Sequence, residues 1–208
     1  MKQINEEKIN NLLLSSVHAD CHKINRIINK SKSLKRLTLE ESAILLTTQD
    51  PGSIEKIFAA ANFVKEEIYG KRVVLFAPLY ISNFCVNSCL YCAFKSDNQL
   101  IKRKALVASE IINQVEWLLR RGHKRILMVC GEDAPAGKSN IDYYAEAVRA
   151  IYSAAFGKNK IKRVNVNCAP LGVEEFGRLK ASGIGTYQIF QETYHDKTYR
   201  YMHPKGPK

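Results

Sequence analysis

Four apolar runs alternate with three helix-like segments over the last two-thirds of the chain, and this alternation limits the fold more than any other feature. The apolar runs are Arg72 to Ile81, Lys124 to Cys130, Ile161 to Cys168 and Gly185 to Gln191. Between them lie Ala108 to Arg121, Asp142 to Phe156 and Val173 to Ser182, each followed by a glycine: Gly122, Gly157 and Gly183. Strand-type runs alternating with helices predict an α/β fold with about four parallel strands and a helix in each crossover. Pro78 belongs at a strand end or edge, because it has no N–H to give a ladder. Loops that carry chemistry in such folds follow the C-terminal ends of the strands. Residues after Ile81 and after Cys130 therefore open onto one side of the sheet.

The first seventy residues read differently. Ile9, Leu12, Leu13, Ser16 and Val17, then Ile24, Ile27 and Ile28, fall at helical spacing. Thr38 with Glu41 predicts a capping box that opens a helix through about Leu46. Asp50-Pro51 predicts another helix start, with Ile54, Ile57, Phe58, Ala61, Val64 and Ile68 along it and Gly70 at its end. The expected organisation is a helical segment over 1–70 and a (βα) segment over 71–208. Four strands do not close a barrel; the tail reads as loop or short helix, and no helix is expected to cover the last run. The expectation is a partial, truncated TIM-type barrel, or an open sheet whose edge a partner covers.

Between the first strand and the next helix, Cys85-Val86-Asn87-Ser88-Cys89-Leu90-Tyr91-Cys92 spaces three cysteines as Cys-x3-Cys-x2-Cys. Thiolates bind iron–sulfur clusters, and a cubane has four irons, so three cysteines leave one iron open to a small molecule. A structural zinc site wants a fourth ligand close by, and the next Cys or His after Cys92 is His123. Cys85, Cys89 and Cys92 are accordingly the expected ligands of a 4Fe–4S cluster. Cys21, Cys130 and Cys168 stand alone and read as small buried apolar residues.

The spacing, with the aromatic Tyr91 just before the third cysteine, resembles the signature of the radical S-adenosylmethionine (SAM) superfamily. The flanking stretches narrow the resemblance. Ala77 to Phe84 precedes the first cysteine, Gly131-Glu132-Asp133 ends the second strand, and Arg163-Val164-Asn165-Val166-Asn167 follows. Gly183 to His195 includes Gln191-Glu192-Thr193-Tyr194-His195, and the chain closes on His203-Pro204-Lys205-Gly206-Pro207-Lys208. Together they are similar to the tyrosine lyases, above all the FeFe-hydrogenase maturase group. The sibling group is the thiazole-pathway 2-iminoacetate synthases.

The resemblance implies a full or partial TIM-type fold. SAM would chelate the open iron and be cleaved to a radical, with an electron donor such as ferredoxin or flavodoxin. L-Tyrosine would be cut at Cα–Cβ to p-cresol and dehydroglycine. In the maturase group a further cluster in a C-terminal part yields CO and cyanide for downstream hydrogenase maturation proteins. That part is absent here, so the expectation for this chain stops short of CO and cyanide.

Roles carry over by position. Tyr91 would pack beside the SAM adenine, or be a plain core tyrosine. Gly131 and Glu132 stand where the superfamily binds the SAM amino group, Glu132 supplying an anion for an ammonium. Arg163, Asn165 and Asn167 alternate with Val164 and Val166, so one face of that strand is polar. Arg163 is a partner for a carboxylate of SAM or tyrosine, unless the face looks to solvent. Gln188, Phe190 and Glu192 share a face by the same period, and Gln188 and Glu192 are assigned to SAM or substrate hydrogen bonds. Tyr80, Ser82, Asn83 and Asn167 are the candidate substrate contacts. His195 and His203 read as capping or hydrogen-bonding groups, and no catalytic side chain is named.

The net charge of +12, from 32 basic and 20 acidic residues, raises a second class of function, an RNA-modifying radical SAM protein. The basic residues are scattered in pairs and triplets, such as Lys35-Arg36, Lys102-Arg103-Lys104 and Arg120-Arg121. That scatter disfavours a nucleic-acid partner. A third reading is a fragment that binds a cluster without turnover. No apolar run approaches the roughly 18 residues of a membrane span. The N-terminus lacks an apolar signal core and carries Glu6 and Glu7, which points to a cytoplasmic protein.

Overall fold

A computed structural model describes residues 4–207. The chain separates into two compact units, one reaching to Val73 and the other beginning at Val74.

The first unit is helical: α1 (Glu6–Ser16), α2 (Cys21–Lys32), α3 (Leu39–Thr47) and α4 (Pro51–Tyr69). Every start has a side-chain cap. Asn5, Asp20, Thr38 and Asp50 each accept from the backbone N–H three residues on. At Thr38 the box is complete, with Glu41 returning to the Thr38 N–H at 2.7 Å. Ile24, Ile27, Ile28, Ile44 and Ala60 form the core of this unit. On α4 the buried side narrows to Ser53 and Ala60, flanked by Ile57 and Val64, while Phe58 and Ile68 remain exposed.

The second unit is built on a parallel sheet of β1 (Ala77–Ser82), β2 (Arg125–Cys130) and β5 (Arg163–Asn167), in the order β1-β2-β5. Helix α5 (Ala108–Arg120) links β1 to β2, and α6 (Asn140–Ser153) lies between β2 and β5. Helix α7 (Val173–Ala181) follows β5, and α8 (Asp196–Met202) comes near the end. Alternate strand residues Leu79, Ile81, Ile126, Met128, Val164 and Val166 are buried with Ile111, Val115 and Leu119 of α5 and with Tyr144, Val148 and Ile151 of α6. The spacing i, i+4, i+8 on α5 is what presents one apolar stripe to the sheet.

Three expectations are corrected. The first apolar run is a strand only from Ala77, because its partner begins at Arg125 and pairing starts at Ala77 opposite Ile126. Val73, Val74, Leu75 and Phe76 have no neighbour to pair with and are exposed. Pro78 sits inside β1, which is an edge of this sheet. The second correction concerns α6, which stops at Ser153. Ala155–Phe156 (β3) and Asn159–Lys160 (β4) then form a small antiparallel hairpin. Gly157 turns it at φ 57°, a left-handed value that glycine adopts without a Cβ clash.

The third correction concerns the fourth strand, which is reduced to one bridge, Tyr187 opposite Val166. Gly185 N donates to Val164 O at 2.7 Å, Val166 N to Thr186 O at 2.8 Å and Gln188 N to Val166 O at 2.8 Å. β5 ends at Asn167, so residues beyond Gln188 run out of partner. Glu192 then takes a positive φ of 59°, which ends the extended path. The shared face expected for Gln188, Phe190 and Glu192 therefore does not extend past Gln188.

Candidate iron–sulfur cluster site

Parallel pairing puts the ends of β1 and β2 side by side, with Ser82 opposite Cys130. The cysteine loop leaves the first and the Gly131-Glu132 turn leaves the second. They meet closely: Gly131 N donates to Ser82 O at 3.1 Å, and Val86 N to Glu132 O at 3.4 Å. A Cβ at position 131 would run into the Phe84 carbonyl and press on Cys85 Cβ, so only glycine lets the two loops touch.

The loop after Phe84 has no ladder of its own, so its polar groups find partners elsewhere. Cys89 is buried; Cys85 and Cys92 are partly so. Two sulfurs receive donors: Asn87 Nδ2 lies 3.7 Å from Cys85 Sγ, and Phe94 N donates to Cys92 Sγ at 3.4 Å. Donors around a metal-bound sulfur orient it and are common at such sites. Among the described residues no three His, Cys, Asp or Glu side chains converge as they would on a single metal ion. A cubane does not require that, since each thiolate takes a different iron. Three thiols on one loop, with donors on two of them, suit such a cluster.

Three further groups of expected residues are held by hydrogen bonds. Asn87, buried within the cysteine motif, gives its amide to Glu132 Oε2 at 2.6 Å and so ties the acid to the loop. Tyr91 bonds to Glu192 Oε1 and to His203 Nε2, each at 2.8 Å. His203 Nδ1 faces the Tyr199 carbonyl at 2.8 Å. A carbonyl only accepts, so Nδ1 carries hydrogen there. On β5, the Arg163 guanidinium bonds to Asn165 Oδ1 at 3.1 Å and Thr186 Oγ1 at 3.0 Å.

The strand register settles which residues share the face away from the helices. Tyr80, Val129 and Asn167 lie in one row, and Pro78, Leu127 and Asn165 in the row below. Gln188 follows Tyr187, whose ring packs edge-on against Phe176 of α7 at 4.8 Å, so alternation turns Gln188 to the opposite, open face. Ser82 is buried and its Oγ accepts from Phe84 N at 3.2 Å. Asn83 has both ends of its amide engaged with backbone, Nδ2 to Lys102 O at 2.9 Å and Oδ1 from Lys104 N at 2.7 Å. It pins the loop to the chain beyond it. Asn87 and Arg103 are the residues that sequence reading passed over. Asn87 stands inside the motif, whereas Arg103 looked like one cation of a surface triplet.

The model of the Radical SAM superfamily matches residues 79–208 of this chain. The chain belongs to the radical SAM superfamily. Among solved structures it is similar to the crystal structure of HydG, a maturase of the [FeFe]-hydrogenase, with a TM-score of 0.88 and 46% identity. That match covers 98% of this chain and 44% of the other. HydG from Carboxydothermus hydrogenoformans matches with a TM-score of 0.77 and 40% identity, over 97% of this chain and 46% of that one. The 2-iminoacetate synthase of Escherichia coli is 29% identical over 181 residues, which are 87% of this chain and 46% of the synthase. The chain thus spans a little under half the length of each of these relatives. Membership in the radical SAM superfamily implies a 4Fe–4S cluster and SAM as cofactors, the chemistry that the cysteine loop suits. No helix is long and apolar enough to cross a membrane among the described residues.

Proposed function

We propose that this chain is the cluster-bearing part of a tyrosine lyase of the hydrogenase-maturase type. The observation that carries the reading is the 46% identity to HydG over 98% of the chain, against 29% to the 2-iminoacetate synthase over 87%. When bound, the cluster and SAM supply the one-electron chemistry that breaks the Cα–Cβ bond of L-tyrosine, giving p-cresol and dehydroglycine.

Cys85, Cys89 and Cys92 hold the cluster. Glu132, steadied by Asn87, offers a carboxylate to the SAM ammonium, and Gly131 keeps the backbone close. Tyr91, fixed between Glu192 and His203, gives the cofactor a rigid aromatic edge. Arg163, Asn165 and Gln188 present polar groups on the open face of the sheet. There the Arg163 fork suits a carboxylate of SAM or substrate. Tyr80 and Asn167 stand in one row of that face for tyrosine, and Ser82 and Asn83 shape its rim. A ferredoxin or flavodoxin delivers the electron, and hydrogenase maturation proteins take the products of the whole enzyme.

The test is anaerobic reconstitution with iron and sulfide, then electron paramagnetic resonance (EPR) of the reduced protein with and without SAM. A 4Fe–4S signal that shifts on SAM addition, followed by p-cresol from tyrosine, is the expected result. A signal indifferent to SAM would sink the reading. In the whole protein, release of CO and cyanide separates the maturase from the 2-iminoacetate synthase, which stops at dehydroglycine.

A further inference from the structure

The cysteine loop is gathered around one guanidinium. Arg103 Nη1 donates to Asn83 O at 2.5 Å and to Phe94 O at 2.8 Å. Its Nη2 donates to Lys95 O at 2.5 Å and to Asn98 O at 3.3 Å. Asn83 lies two residues before the first cysteine, and Phe94 two residues after the third. The same fork therefore joins both ends of the segment that contains all three thiols. Arg103 is partly buried, and its four acceptors belong to a stretch without regular structure. Asn83 adds a second clasp, since its own N–H donates to Lys104 O at 3.1 Å and its amide brackets Lys102 and Lys104. The neighbouring cation, Lys104, is spent on Glu110 at 2.6 Å, so the triplet Lys102-Arg103-Lys104 is not a uniform patch.

We propose that Arg103 is a positioning residue that closes the cysteine loop and presets Cys85, Cys89 and Cys92 for the cluster. The role rests on the proposed reading of those three thiols. A planar fork with five donors can hold several carbonyls at once from fixed directions, which the single ammonium of lysine does less well. Closing the loop ahead of cluster assembly removes ordering that ligation would otherwise have to impose.

Two variants of the full chain test this. Arg103→Met removes the charge and the donors; Arg103→Lys keeps the charge and part of the bonding. Hydrogen exchange on the apo chain is the readout that does not depend on a cluster. Exchange at Ser96 and Asn98, whose N–H groups bond within this loop, is expected to speed up at least tenfold in Arg103→Met and less in Arg103→Lys, with β2 amides unchanged. After reconstitution, iron per chain is expected to fall several-fold in Arg103→Met, with partial rescue by lysine and a broadened EPR signal. Loop exchange like the parent's in both variants, or equal iron and the same SAM-induced shift, would overturn the role. If Arg103→Met does not fold, Arg103→Lys alone decides by the exchange comparison. A parent that loads no cluster would defeat the functional reading, and the exchange result would still stand for or against Arg103.

Discussion

On the helix-covered face of the sheet, Leu79, Met128 and Val166 lie side by side in register and are closed off from solvent. One residue further along each strand, Tyr80, Val129 and Asn167 make the next row on the opposite face and stay partly open. The two rows differ by a single step in a period of two, yet they answer to different demands. The first is filled to match α5 and α6, so volume decides what can stand there. The second has no helix over it and mixes an aromatic, an aliphatic and an amide. The sheet has one packed face and one open face, and the cysteine loop and the Gly131-Glu132 turn meet at the strand ends.

The largest effect expected is on chemistry alone. Cys89→Ser should bring iron per chain after reconstitution down to background while the circular dichroism spectrum stays that of the parent. A variant that keeps full iron would remove Cys89 from the site. On the packed face, Met128→Ala should cost about 2–5 kcal/mol by lost transfer energy and cavity formation. Urea unfolding measures this, and a cost under about 1 kcal/mol would mean that the face is looser than its burial implies.

Tyr143→Phe probes a polar contact on that same face. Its hydroxyl donates toward Ile81 O at 2.8 Å and Leu106 O at 3.0 Å. Ile81 O keeps Leu106 N as a donor at 2.8 Å, so the loss should cost about 1–3 kcal/mol, chiefly at Leu106 O. Alkaline titration tests the burial behind it. Burial pushes the phenols of Tyr143, Tyr144 and Tyr187 well above the usual tyrosine value. A raised folded value means that the unfolded chain gives up these protons first. Their stabilisation is therefore fully present below about pH 10 and is lost as pH rises toward the folded values. Thermal melts between neutral and strongly alkaline pH should fall steadily above that point, and Tyr187→Phe should flatten the fall. A melt indifferent to alkali would contradict the burial.

The smallest expected effect on stability is at the open face. Asn167→Ala should stay within about 0.5 kcal/mol of the parent, so on the proposed reading a loss of tyrosine cleavage in the whole protein would be traced to the site and not to the fold. A large destabilisation would show that Asn167 serves the fold, and the contrast between the faces would fail there.

Much of this was legible in the sequence because the signals are local. Caps at Thr38 and Asp50 depend on residues three apart, and both formed. The polar alternation of Arg163, Asn165 and Asn167 gave the face of β5 correctly, because a strand's period needs no knowledge of its neighbours. The length of each strand was less legible. Val73 to Phe76 have strand-like side chains and no strand beside them, and Gly185 to Gln191 lose their partner where β5 ends.

By itself, the sequence determined the alternation of β1, α5, β2, α6, β5 and α7, the caps at Thr38 and Asp50 and the three thiols on a loop at the end of β1. Each of these follows from neighbours within a few residues. Only the tertiary structure decided what holds those thiols and the groups near them. Tyr91 meets Glu192 and His203 across 101 and 112 residues, and Glu132 reaches Asn87 across 45. Arg103 closes its loop from 20 residues beyond Asn83. Such bonds form only where the parallel sheet has already brought distant segments to one edge, and no periodicity in the chain records where that edge will be.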